Sequence, residues 1–244
     1  MTYSTSELLE YRAWKRWDRE AFGKYTRVDA VTFRRELEMA GCDLSQPLTV
    51  FEIGFGNGHF ATWAKDQGWN VVATELDLAL VSRAVASGIE AHDGRKPIDQ
   101  IANGRLFDLI IAFDVLEHLA IPDIIELMSA ARRCLKSEGH FIARFPSRDS
   151  PFAGSVQNSD LTHRSLIGTG IVEQIALITS FRAIQIREPA FPLTGIGLRP
   201  TVRRLAVLLV RRLMAAAIKL AFHDGNQLVI TRNMVAVLKP EGRG

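Results

Sequence analysis

The chain has little cysteine, no uncharged apolar run long enough to cross a bilayer, and almost no excess of charge of one sign. Two cysteines in 244 residues, Cys42 and Cys134, exclude a disulfide scaffold and are too few for a zinc site built on thiolates. They fit a reducing compartment. A spanning helix needs about 20 apolar residues in a row, and the nearest approach, 205–222, is interrupted by Arg211, Arg212 and Lys219. A secretory leader needs a basic start followed by an apolar core; the first twenty residues are instead studded with Glu7, Glu10, Arg12, Lys15 and Arg16. The expectation is a cytoplasmic protein. A net charge of +3 is too small to argue for nucleic acid. No internal repeat or low-complexity tract is found.

What is present is an ordinary globular composition, 47% hydrophobic and 23% charged. Residues 4–20 read as a helix: Ser4 and Glu7 fit a capping box, and Leu8, Tyr11, Trp14 and Trp17 recur at steps of three. That aromatic row suits packing onto the main domain. A second helix is expected from Asp29, as its N-cap, to Gly41. From residue 48 onward strands alternate with helices. Strands are expected at 48–53, 70–75, 89–92, 107–113 and 139–145, with helices ending at Gly68, running over 78–87, and starting around Pro122. Residues 146–163 form a long polar loop, of the kind that carries function in α/β domains. A helix at 165–178, a strand at 181–188, an insertion at 189–226 and a closing strand at 228–238 complete the chain.

Strand, helix, strand in repetition gives an α/β protein: a doubly wound, mostly parallel seven-stranded sheet with N-terminal helices and a helical insertion before the last strand. The organisation expected is an N-terminal helical cap (1–45), a main domain (46–188 with 227–244) and a basic amphipathic insertion (189–226). The late strand pair suits one antiparallel member.

The stretch Glu52-x-Gly54-x-Gly56-x-Gly58 is the most informative. A strand that turns sharply into a helix needs residues tolerant of positive φ and free of a Cβ, so that a ligand can lie on backbone N–H groups at the helix start. Seventeen residues past Gly58, Glu75 ends the next strand, where an acid can accept both hydroxyls of a ribose. The dinucleotide fingerprint wants a third glycine where His59 stands, which disfavours a nicotinamide cofactor.

This turn resembles motif I of the class I S-adenosylmethionine-dependent methyltransferases. The segment Phe107-Asp108-Leu109-Ile110 through Asp114-Val115-Leu116-Glu117-His118-Leu119 looks like their fourth strand and its loop. Leu135-Lys136-Ser137-Glu138-Gly139 looks like their entry to the fifth. The resemblance implies a Rossmann-like methyltransferase fold with S-adenosyl-L-methionine as cofactor. It implies that Glu52, Gly54, Gly56 and Gly58 meet the amino-acid end of the cofactor and Glu75 its ribose. His92 and Asp93 then lie near the adenine, and Asp114 beside the sulfonium. Two bland readings stay open: Glu52 as an acid capping the turn, and Asp93 as a solvated turn acid.

A hydroxyl acceptor must lose a proton, and a histidine suits that task. His118 follows the fourth strand, and His163 sits in Asp160-Leu161-Thr162-His163 at the end of the long loop. Both loops leave the carboxyl edge of the sheet, where doubly wound folds place their sites. His163, His118, Asp114 and Asp160 are therefore the catalytic candidates, with a structural His118 as the alternative. His59 and His140 read as structural, and His223 lies in the insertion. No metal site is expected.

The second half resembles bacterial cell-surface polysaccharide methyltransferases, through Glu52–Gly58, Asp160–His163, 199–222 and Val229–Val237. That likeness implies O-methylation of a sugar or other small acceptor in surface-glycan assembly. A quinone, lipid or other small metabolite is the alternative acceptor, and a non-catalytic cofactor-binding subunit the alternative class. A small-molecule or glycan partner and no nucleic acid are expected. Between 199 and 222 there are six basic residues and no acid, a pattern compatible with a helix lying at the inner membrane surface, with packing on the domain, or with a homodimer contact.

Overall fold

A computed structural model of the chain describes residues 5–17, 21–222 and 229–242. In chain order the elements are α1 (Thr5–Trp14), α2 (Arg27–Met39), β1 (Thr49–Ile53), α3 (His59–Asp66), β2 (Asn70–Glu75), α4 (Leu78–Ala86), β3 (Glu90–Asp93) and α5 (Ile98–Ala102). They continue with β4 (Phe107–Phe113), α6 (Ile121–Cys134), β5 (Leu135–Pro146), α7 (Gly154–Gln157), α8 (Thr169–Ile178), β6 (Phe181–Arg187), α9 (Leu198–Phe222) and β7 (Asn233–Pro240). The strands form one seven-stranded sheet in the order β3-β2-β1-β4-β5-β7-β6. The first five strands are parallel, and β7 runs antiparallel between β5 and β6.

Strand periodicity divides the core into two layers. Phe51, Phe107, Ile110, Phe141 and Phe145 face α6 and α8 on one side of the sheet. Val50, Leu109, Ile111 and Ile142 face the other side, where Leu37 of α2, Trp63 of α3 and Leu80 of α4 cover them. Burial on both faces explains why β1 and β4 read as nearly unbroken apolar runs. The strand order reverses between β1 and β4, so the loops after these strands diverge and leave a crevice at the carboxyl edge.

Several boundaries differ from expectation for local reasons. α1 ends at Trp14, and a turn closed by Arg16 at φ 61° follows it, a left-handed residue that stops the helix. Residue 4 of its expected cap, and residues 18–20, lie outside the described residues. The N-cap of α2 is Thr26 and Asp29 is its N3 acid: the Asp29 N–H donates to Thr26 Oγ1 (3.2 Å), and the Thr26 N–H to Asp29 Oδ2 (2.8 Å). α5 is a single short turn between Pro97 and left-handed Asn103, too brief to show a period. β5 begins four residues early, at Leu135, and β7 starts at Asn233. Residues 223–228, with His223 and the end of the insertion, lie outside the described residues.

α2 is fastened to the far edge of the sheet by charge. Arg187 Nη1 lies 2.5 Å from Glu36 Oε1, and the Ala190 N–H donates to Glu36 Oε2 at 2.7 Å. Glu36 is buried and Arg187 largely so, and removing one partner from such a pair leaves an uncompensated charge. Glu36→Ala should therefore cost about 3–5 kcal/mol in urea unfolding. Replacing Glu36 with Leu and Arg187 with Met together should recover most of it. Equal losses in the single and double variants would show that the pair contributes nothing of its own.

Candidate functional site

The end of β1 opens into the turn Gly54-Phe55-Gly56-Asn57-Gly58, which leads directly into α3. Gly56 and Gly58 have φ of 54° and 75°, a region that side chains strain to occupy. Space forbids a side chain as well. A Cβ on Gly56 would lie 3.0 Å from the ring of Trp17, and one on Gly58 would overlap the ring of Phe22. Phe55, bulky for its position, turns into the core and meets Phe22 edge to face at 6.0 Å between centroids.

Glu75, at the end of β2, binds this turn. Its Oε2 accepts the Gly56 N–H (2.9 Å), and its Oε1 accepts the N–H groups of Leu76 (2.6 Å) and Asp77 (3.3 Å). Burial raises its pKa, and these three donors oppose the rise. Glu52 lies deeper, 4% exposed, with Oε2 unpartnered. Burial drives its pKa well above the carboxylate range, the nearby Glu75 adds to this, and the Ala61 N–H opposes it. Asp93 sits beside Glu75 in the β2–β3 register, its Oδ1 accepting the Arg95 N–H (3.0 Å) and pairing with Arg95 Nη1 (3.0 Å). His92, expected near a bound adenine, turns away and pairs with Glu90 at 3.0 Å, because adjacent strand residues face opposite ways. A glycine cradle, an acid at the end of β2 and a second acid at the end of β3 fit a nucleoside laid across three strand ends.

The four catalytic candidates gather after β4 and β5. The long loop after β5 returns to the 3-10 turn Leu116–His118, where the N–H groups of Arg164 and Ser165 donate to the Glu117 carbonyl at 2.7 and 3.1 Å. This brings the rings of His118 and His163 to 4.9 Å between centroids. Thr162 bridges the acids to the histidines: its hydroxyl lies 2.5 Å from Asp160 Oδ1 and 2.8 Å from His118 Nδ1. His163 Nδ1 lies 3.0 Å from the Gln157 carbonyl. Burial lowers the His118 pKa to about 4, against the pull of Asp160. Burial would raise Asp160, but the Thr162 hydroxyl and N–H prevail and hold it below its ordinary value. Asp114, left-handed at φ 58°, stands at the mouth of the site in an ion pair with Arg144, whose guanidinium lies over Phe113.

Sequence reasoning missed three groups here. Glu117, 2% exposed, has a pKa raised to about 8 by burial and by Asp114. Arg144 hides in an apolar strand. The third is the end of α1 with the turn after it, which roofs both halves of the crevice: Trp17 lies on Gly56, Arg12 pairs with Asp77 (3.2 Å), Tyr11 meets His118 edge to face (6.0 Å), and Lys15 reaches Asp160 (3.6 Å). The steps of three at Tyr11, Trp14 and Trp17 marked a packed face; what that face covers is the site itself.

Residues 32–168 match the family model described as a methyltransferase domain. Among curated proteins, the ubiquinone biosynthesis O-methyltransferase of Rickettsia bellii is 26% identical over 132 residues, half of this chain and 53% of that protein. Its counterpart from Rickettsia conorii is 28% identical over 88 residues, 34% of this chain and 30% of that protein. The chain thus spans about half the length, or less, of the curated relatives it matches. A S-adenosylmethionine-dependent methyltransferase from Archaeoglobus fulgidus superposes with a TM-score of 0.62 at 14% identity, over 97% of this chain and all of that one. Magnesium protoporphyrin IX methyltransferase from Synechocystis, solved with bound S-adenosylhomocysteine, superposes with a TM-score of 0.60 at 12% identity, over 98% of this chain and 100% of that one. The fold is theirs.

Glu52 yields a pH test. An acid whose pKa is raised by folding stays protonated in the fold where the unfolded chain has ionised. Its full contribution is therefore present below the ordinary value of 4.5 and is lost as pH rises through the folded value. Glu52→Gln keeps the shape and removes the titration. Thermal melts should show the variant gaining on the wild type as pH rises above the ordinary carboxylate range. A difference that stays flat as pH rises would place the Glu52 carboxyl elsewhere than in this buried setting.

Proposed function

This chain belongs to the methyltransferase-domain family, and we propose that it is an S-adenosylmethionine-dependent methyltransferase that acts on a hydroxyl oxygen of a small, membrane-held acceptor, a phenolic quinone precursor before all others. The observation that carries the reading is the Asp160–Thr162–His118 chain with His163 beside it, at the crevice end opposite the glycine turn. A cofactor held by Gly54, Gly56, Gly58 and Glu75, with Asp93 toward its adenine, supplies a methyl group on a sulfonium that is already an excellent leaving group. The protein's share is then alignment and proton removal. Asp160, fixed by Thr162, orients the cluster. Neutral His118, with His163, receives the acceptor hydroxyl and its proton. Asp114 and Arg144 set the charge at the entrance. The roof of Tyr11, Lys15 and Trp17 excludes water.

The quinone class is favoured over other acceptors by the named activity of the curated relatives. A sugar in surface-glycan assembly is the second reading, supported by the segment Asp160–His163 and its likeness to polysaccharide methyltransferases. Labelled cofactor offered with polyprenylated catechols and with nucleotide sugars should place label in the lipophilic phenol. Label found only in protein or RNA would overturn both readings. Glu75→Ala should weaken S-adenosylhomocysteine binding by about 1–3 kcal/mol, roughly five- to 150-fold, in calorimetry. His118→Ala and His163→Ala should leave that affinity nearly intact and lower turnover by about 10²-fold or more. A loss under about fivefold in both would remove the histidines from the chemistry.

Membrane contact is part of the same proposal. On α9 the partly buried positions are 200, 201, 204, 207, 208, 211, 215 and 218. Arg204 and Arg211 lie among them, each 4.7 Å from the centroid of Phe191. At 100° per residue Arg204, Arg211, Arg212 and Lys219 fall within one arc of about 100° beside the leucines; the Phe191 ring draws the first two inward and leaves the other two at the edge of the exposed face. Leu198, Val202, Leu205, Leu209, Leu213 and Leu220 are left 49–87% exposed, within an arc of about 80° at 100° per residue. Arg212 and Lys219 border that arc on one side, and Arg199 and Arg203 on the other. An apolar stripe between cations suits the boundary of an anionic bilayer, and no described helix is long and apolar enough to cross one. The protein should sediment with anionic vesicles and much less with neutral ones, and Leu209→Glu with Leu213→Glu should release it. A wild type that stays in the supernatant, or that dimerises through α9, would overturn the membrane contact.

A further inference from the structure

We infer that Glu117, His118 and His163 form a binding site for a first-row divalent transition-metal ion of the zinc type, placed where the acceptor oxygen is received. A ring nitrogen from each histidine and a carboxylate oxygen of Glu117 lie within 4.8 Å of one another. Bonds of about 2.0–2.2 Å to such an ion set its ligands roughly 3.4 Å apart in a tetrahedron. Small side-chain rotations therefore close the site.

The surrounding hydrogen bonds are those a metal site needs. A metal-bound imidazole uses one nitrogen for the ion and engages the other with a carbonyl, a carboxylate or a group that relays to one. His163 Nδ1 meets the Gln157 carbonyl at 3.0 Å, and His118 Nδ1 meets Thr162 Oγ1, itself held by Asp160. In each ring this leaves Nε2, which in His163 lies 3.9 Å from Asp160 Oδ2 and would turn from it to the ion. Glu117 is 2% exposed, and its Oε2 has no hydrogen-bond partner. In a cluster held by hydrogen bonds alone, a ring N–H a few ångströms away would satisfy that oxygen. Here it is the buried, unpaired donor of the triad.

Two imidazoles and one carboxylate select borderline ions such as Zn²⁺, Co²⁺, Fe²⁺ and Mn²⁺ over Mg²⁺ or Ca²⁺, which prefer oxygen throughout. Three protein ligands leave coordination positions open, as in catalytic rather than structural sites. The charges opposing an ion are Arg144, which acts on Glu117, and Lys15, which reaches Asp160 from the roof at 3.6 Å. Asp160 and Asp114 favour one. An ion here would take over proton removal from the histidines, which would then serve as its ligands: it would take the acceptor hydroxyl into its open position, acidify it and let its proton pass to water. That role rests on the O-methylation reading; ion binding itself does not.

The test uses the full-length protein stripped with chelator and titrated with Co²⁺, then Zn²⁺. One Co²⁺ per chain should bind, with the visible absorption of a low-coordinate nitrogen–oxygen site, and an equivalent of Zn²⁺ should abolish the bands. His118→Ala, His163→Ala and Glu117→Gln should each weaken Zn²⁺ at least tenfold in calorimetry. Thr162→Val, which frees the His118 ring and releases Asp160 Oδ1 without removing a ligand, should cost about tenfold. If Glu117→Gln does not fold, the histidine variants decide, with melting curves and S-adenosylhomocysteine affinity as controls. No stoichiometric ion in the wild type, or unchanged affinity in both histidine variants, overturns the site. Ion binding without methyl transfer to any catechol or sugar would leave the site standing and sink the acceptor reading. Methyl transfer that survives complete chelation would leave the acceptor reading standing and overturn the ion's part in the reaction.

Discussion

The site depends on the pairing of β1 between β2 and β4. Ile53 stands opposite Thr74 on one side and Ala112 on the other. Parallel strands in this register end at one level. Gly54, Glu75 and Asp114, distant in sequence, therefore emerge together, and β3 adds Asp93 opposite Glu75. Side chains alternate along a strand, so a slip of one residue would turn Phe51 out of its layer and Glu52 into it. Burial on both faces forbids that slip. The apolar sheet thus does more than stabilise the domain: it fixes the separation between the cradle at one end of the crevice and the polar cluster at the other.

That cluster is costly by itself. Glu52, Glu75 and Glu117 are carboxyl groups whose burial raises their pKa, and His118 is an imidazole held neutral by its surroundings. A domain assembled for stability alone would fill these places with leucine. Several acids without enough cations, converging on one edge of a well-packed sheet, mark an edge shaped by its ligands.

Much of this was legible in the residues. The strands announced themselves by apolar runs, and the turn by glycines that only a close approach of backbone requires. β2 and β4 fell on their expected residues, and the antiparallel member of the late strand pair is β7. Legibility ended where contacts are made across sequence. Glu117 and His163 are joined because the loop after β5 donates two backbone N–H groups to the Glu117 carbonyl, an event no periodicity records. The facing of α9 escaped for a similar reason. Helical spacing groups its arginines with one another, whereas Phe191 and the Pro192 carbonyl, which accepts from Arg204, decide which of them turn inward.

The tryptophans are shared out in a way that makes the protein its own optical gauge. Of the four in the chain, Trp63 and Trp69 stack edge to face in the core, 5.3 Å apart, shielded from any ligand. Trp14 is half exposed beneath the ammonium of Lys15, and Trp17 rests on Gly56 itself. The core pair supplies a constant background of fluorescence. Trp17 stands where a molecule entering the turn must touch or displace it, so occupancy of the turn is written into the colour and intensity of its emission without an added label.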